Sequence, residues 1–232
     1  MRTFLFALAL LAAAAAMPVS ASADSHTLGF QLQADGVLST PMGQLASLGN
    51  TDLSDLYGSG NGFAITATMG MTRHWFVGLR VASFRGTKNS PVSFTDLPAQ
   101  PGQALAPGAG PFTQEHFLRL LPIHALLQYR HGLGKSVEFI ADAGAGLMSS
   151  SDVMSLMSEQ GHGQLAIIPG YQHDPSWTSG LALGVHATKD WDVIAGGRYT
   201  SIVAGDGAVW ASGDAPGFAN WTLGVRYPHD TH

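Results

Sequence analysis

The side chains able to move a proton or carry charge are sparse in this sequence, and they fall at regular places. His124 and Asp142 lie on two alternating segments joined by a short connection, and brought face to face they have the makings of a general-base pair. His186 and Asp192 repeat the arrangement across another short turn. Arg80, Arg198 and Arg226 share a parity with Asp35, Glu138 and Asp142, so these side chains point to one side of their segments and can pair as ions. The segments carrying His124 and Asp142 hold no serine to act as nucleophile and offer a substrate no evident path. The expectation is therefore a structural network of Asp35, Arg80, His124, Glu138, Asp142, His186, Arg198 and Arg226, with no catalytic role.

Other chemistry is thinner. His116 is the only histidine adjoining a strand at a rim, and its parity points inward. His229 and His232 near the C-terminus are too few to define a metal site, and the scattered acids Asp52, Asp55, Asp152, Glu159, Asp206 and Asp214 do not form a calcium loop. With no cysteine there is neither a disulfide framework nor a lipoprotein thiol. No metal, cofactor or enzymatic activity is expected.

The elements that must position these groups are defined by a period of two. Eight segments of about ten residues alternate apolar with polar or small side chains, the length a tilted strand needs to cross a bilayer. The first runs from Thr27 to Asp35, with Leu28, Phe30, Leu32 and Ala34 on one face. The second sets Phe63, Ile65 and Ala67 against Thr66 and Thr68, and the third sets Trp75, Val77 and Leu79 against Arg80. Leu121 to Tyr129 and Val137 to Gly146 form the next pair, Trp177 to His186 and Trp191 to Tyr199 the one after, and Trp221 to Tyr227 closes the series.

Short connections at 72–74, 130–136 and 188–190 alternate with long polar stretches at 39–60, 86–114, 149–175 and 202–217. Strict alternation of this kind predicts an all-β, eight-stranded antiparallel up-and-down transmembrane β-barrel, with long loops outside and both termini in the periplasm. The aromatic residues sort into two levels on the apolar face. Trp75, Tyr129, Trp191 and Tyr227 lie beside the short turns, and Phe63, Phe117, Trp177, Tyr199 and Trp221 lie toward the long loops, as membrane-interface girdles would.

The N-terminus fits an exported barrel. Arg2, the apolar stretch from Phe4 to Met17 and the small residues Ala21-Ser22-Ala23 predict a cleaved signal at 1–23, leaving 24–232 as the barrel with a short periplasmic tail at 228–232. Without Arg2 the mature chain carries ten basic against sixteen acidic side chains, a net charge of about −6, which argues against nucleic acid as a partner.

Leu121-Pro122-Ile123 leading to Tyr129, the Ala143-Gly144-Ala145-Gly146 strand, Leu183-Gly184-Val185 through Trp191 to Tyr199, and the final Trp221 to Tyr227 together resemble the small outer-membrane barrels of the OmpA, OmpW and opacity-protein type. The resemblance spans nearly the whole mature chain. It implies a Gram-negative outer-membrane location and insertion by the barrel-assembly machinery. In that setting Arg85 and Arg119, on the apolar-face parity at the outer rim, together with Lys88, are candidate contacts for lipopolysaccharide phosphates.

Eight strands leave an interior just wide enough for side chains, so a plugged lumen is expected, with work done by outer loops toward lipids or an extracellular partner. The alternative is a narrow OmpW-like channel for a small apolar ligand, lined by Leu120, Leu126 and Ile140. A third reading is an outer-leaflet lipid-modifying enzyme.

Overall fold

The computed structural model describes residues 29–45, 51–92, 112–158, 164–188, 190–203 and 215–229. The signal expected at 1–23, Leu28, and residues 93–111, 159–163, 204–214 and 230–232 lie outside them. Eight strands form the wall: β1 (Phe30–Met42), β2 (Gly60–Gly70), β3 (Trp75–Val92), β4 (Phe112–Gly132), β5 (Val137–Ser158), β6 (Gln164–His186), β7 (Asp192–Ile202) and β8 (Gly217–His229). Each pairs antiparallel with the next, and β1 closes on β8 from Phe30↔His229 to Met42↔Gly217, which makes a closed up-and-down barrel.

The alternation decides which face goes where. Leu32, Leu38, Phe63, Ile65, Leu79, Leu147, Leu181 and Leu223 are exposed on the outer wall, while Asp35, Thr66, Arg80, His124 and Arg226 are buried inside. A water-soluble barrel would reverse this, and an apolar outer band is stable only against another apolar phase. Trp75, Trp177, Trp191, Trp221, Tyr227 and Phe63 stand exposed on that wall, with Phe117, Tyr129 and Tyr199 half-buried. Rings pair along it at 5.1 Å for Trp75 with Tyr129, 5.2 Å for Trp191 with Tyr227 and 5.4 Å for Trp177 with Tyr199.

Several boundaries differ from the sequence expectation. The first strand begins at Phe30 and continues beyond Asp35 to Met42, because Val37, Ser39 and Pro41 keep the inward parity. Much of what reads as loop at 86–114 and 149–175 is paired strand, with β3 and β4 laddered from Arg85↔Arg119 to Val92↔Phe112, and β5 and β6 from Ser149↔His173 to Met157↔Gln164. Backbone pairing needs no apolar face once the strands leave the membrane, so the polar composition that suggested loops is compatible with ladder. At 23 residues β6 is roughly 75 Å long at the usual rise, well beyond a bilayer. In the stretch 39–60, a pair of two-residue strands, Gln44–Leu45 with Thr51–Asp52, leads into a one-turn helix, Leu53–Leu56. The tail expected from Pro228 is also shorter, since Pro228 and His229 pair with Gln31 and Phe30.

Inside, the barrel is layered. Leu53 and Tyr57 from the first outer connection drop onto Phe84, Leu118, Leu120, Met148, Ile202 and Phe218 and close the outer end with an apolar plug. Polar and ionic side chains fill the middle and line the turn end.

Candidate functional site

Neighbouring strands stand about 4.8 Å apart, so a long inward side chain can reach a partner two strands away only if the strand between carries little bulk. Glycine supplies that gap. His124 pairs with Gly146, which pairs with Ser176, and the imidazole passes over the glycine to place Nε2 2.9 Å from Ser176 Oγ. Asp142 pairs with Gly180 and Gly180 with Arg198, and Arg198 Nη2 donates to Asp142 Oδ2 at 2.5 Å across it. Glu138 lies over Gly184, and Arg226, three strands round, donates to the Glu138 carboxylate.

The ion pairs fall into three groups. Arg80 Nη1 donates to Asp35 Oδ2 at 2.7 Å and to Thr66 Oγ1 at 2.8 Å, spanning β2 where only Ala64 and Thr66 intervene. Arg226 holds Asp192 through Nε at 3.0 Å and Nη2 at 2.5 Å, and His186 Nδ1 lies 2.5 Å from the other oxygen of Asp192. The structure thus brings together Asp35 with Arg80, Asp142 with Arg198, and Glu138, Arg226 and His186 around Asp192.

His124 and Asp142 are not brought together. His124 pairs with Gly146 and Asp142 with Gln128, because β4 and β5 continue pairing to Gly132↔Glu138 and turn only at 133–136, where Gly134 takes a φ of +148°. The later turn shifts the register by four residues from the one that would oppose them. Ser176, the true partner of His124, was missed because it sits one strand further round.

Arg130 was also missed. Read as part of a connection, it is instead a buried strand residue donating to Gln128, Gln31 and Thr68, with its guanidinium 3.9 Å from the Phe76 ring centroid. The inward parity of Leu126 and Gln128, carried two residues further, points to it.

Among the described residues the middle of the lumen is closely filled. The void among Arg80, Gln128, Asp142 and Arg198 is about 20 Å³, and the one under the plug, between Tyr57, Phe84 and Phe218, about 10 Å³. The first holds about one water. Leu120, Leu126 and Ile140, the lining an apolar channel would need, are buried in packed side chains. A larger apolar hollow, about 800 Å³, lies on the outer wall, where Gly36, Ala195 and Gly197 sit among Leu38, Leu181 and Trp221.

At the outer rim Arg85 and Arg119 are direct cross-strand partners, both exposed on the outward face. Arg85 lies 5.9 Å from the Phe117 ring centroid. Lys88 pairs with His116 at a register position of the opposite parity, so it does not extend the arginine pair. One ladder step inward from Arg119, Ser149 Oγ and His173 Nδ1 are 2.7 Å apart on the outer wall, and Tyr171 packs edge-on against His173 at 4.8 Å. This pair was hidden from sequence reading inside a stretch taken as loop.

No family model and no curated protein matches the chain. Solved structures share its fold. A major outer membrane protein from Thermus thermophilus is 12% identical with a TM-score of 0.51, the match covering 86% of this chain and 99% of that one. Neisserial surface protein A is 18% identical with a TM-score of 0.47 over 85% of this chain and 96% of its own. OprG from Pseudomonas aeruginosa is 13% identical with a TM-score of 0.47 over 87% and 95%. The chain is similar in fold to small outer-membrane β-barrels, the likeness its strand patterns implied.

Proposed function

We propose that the protein is a non-conducting barrel of the bacterial outer membrane that grips lipopolysaccharide phosphates at its outer rim and presents its outer connections to an extracellular partner. The apolar outer band and its aromatic rings support the location. The observation that carries the lipid contact is the direct pairing of Arg85 with Arg119. Like charges opposite each other on two strands repel, and an anion held between two guanidinium forks turns that repulsion into binding. Phe117 beside Arg85 supplies an interfacial ring.

The test compares protein purified in parallel with and without Arg85→Ala and Arg119→Ala. Lipopolysaccharide carried per barrel should fall several-fold in the double variant, measured by mass spectrometry; an unchanged content would sink the proposal.

The Ser149–His173 pair favours one second reading, an outer-leaflet lipid esterase: Ser149 Oγ attacks an acyl carbonyl, His173 takes its proton and returns it to the leaving oxygen as the ester C–O bond breaks, and water then releases the fatty acid from the serine. Against it, among the described residues no carboxylate is bonded to His173. The same mass spectrometry decides: lipid A that gains an acyl chain only when Ser149→Ala replaces the wild type supports the esterase, and identical lipid A from both leaves the pair a surface hydrogen bond.

A further inference from the structure

The turn end of the barrel opens into a cavity of about 550 Å³ whose lining includes Arg73, Arg130, Lys135, Glu138, Asp192 and Arg226. Its charge is unbalanced. Among the described residues that line it, four permanent cations face two carboxylates, and the histidines there add no negative charge. Both carboxylates are already held by Arg226, and Asp192 also by His186. Among the described residues Arg130 donates to neutral acceptors, Gln128, Gln31 and Thr68. Arg73 and Lys135 stand exposed at the rim, and among the described residues no carboxylate pairs with either.

A second observation points the same way. Arg226 is 2% exposed, yet its Nη1 is a buried donor without a hydrogen-bond partner. Arg226 is one of the residues lining the cavity, and a buried guanidinium donor left unused is costly, so the residue gains from an acceptor brought within its reach.

We infer that this vestibule is an anion site, and that its ligand carries a phosphate-type oxyanion. The donors come from β8, from β4 and from the two short turns after β2 and β4, so they approach from several directions. A tetrahedral phosphate offers acceptor oxygens to all of them, whereas a planar carboxylate is satisfied by a single fork. The oxyanion is borne either by a soluble phosphate compound or by a phospholipid headgroup of the inner leaflet. Nothing in this site depends on the outer rim, which lies at the other end of the barrel.

The experiment follows backbone amide resonances of the whole barrel in phosphate-free maltoside micelles. One arm adds inorganic phosphate, and the other mixes phosphatidylglycerol into the micelles. Saturable shifts confined to the turns at 72–76 and 130–138 and to Asp192 are expected in one arm or both. Response to phosphate alone assigns a soluble ligand; response to the lipid alone assigns a headgroup. Arg73→Ala with Lys135→Ala, both at exposed turn positions, should weaken the effective binding roughly tenfold by removing two nearby charges, with unchanged thermal melting. No saturable shift in either arm, or equal binding by the double variant, would overturn the site.

Discussion

A guanidinium enclosed by low-dielectric walls must find a counter-charge or a set of acceptors, and the described arginines inside the barrel do so in three ways. Arg80 takes Asp35 and Arg198 takes Asp142 as single partners, Arg226 gathers two carboxylates, and Arg130 relies on neutral oxygens and the Phe76 ring. The single pairs are the most vulnerable to truncation. Asp142→Ala should lower stability by about 3–5 kcal/mol, because it leaves Arg198 buried and uncompensated, whereas replacing Asp142 and Arg198 together by apolar residues should cost much less. Urea unfolding in lipid vesicles measures both, and equal losses would show that the pair is not what holds these positions. The inward parity of every one of these residues except Arg130 was legible in the sequence. Their partners were less so, because a partner depends on register, and register depends on where each turn begins. His124 shows the difference: its side was plain, but Ser176 became its partner only once β4 and β5 were seen to turn at 133–136.

Among the strands, glycine has two roles that the composition alone does not separate. Gly146, Gly180 and Gly184 face inward beneath His124, Asp142 and Glu138, and a Cβ on Gly146 would collide with the Ile123 carbonyl of the neighbouring strand. Gly36 faces outward, and the nearest atom to a Cβ there is the Leu223 carbonyl oxygen at an ordinary 3.7 Å. Gly146→Ala should therefore destabilise the barrel by more than ~2 kcal/mol, while Gly36→Ala should be neutral or slightly stabilising through reduced freedom of the unfolded chain. Heat-modified mobility on gels at rising urea concentration ranks the two, and a reversed order would refute the assignment of roles. Strand number, order and faces were readable because alternation is strong wherever one face meets lipid. Strand ends were not, since beyond the membrane the ladders of β3 to β6 continue on backbone hydrogen bonds without an apolar face, and polar residues there look like loop. The Ser149–His173 pair lay in that blind region.

Taken as a whole molecule, the barrel is a rod with two different ends. Leu53 and Tyr57 close the outer end over Phe84 and Phe218, ion pairs fill the middle, and the turn end opens into a cationic vestibule. The apolar plug had no clear signature in the sequence, because it is supplied by a one-turn helix within a polar stretch. The small size of an eight-stranded lumen is what led to the expectation of a side-chain filling. The proposed function requires a sealed interior with the protein's work done at its surfaces, and planar-bilayer recording tests this most directly. The protein reconstituted at saturating occupancy should give no unitary conductance steps, and lipid vesicles containing it should admit small apolar solutes no faster than protein-free ones. Reproducible steps, or accelerated solute entry that is lost when Leu53 is replaced by a bulkier Trp, would contradict a sealed barrel and restore the channel.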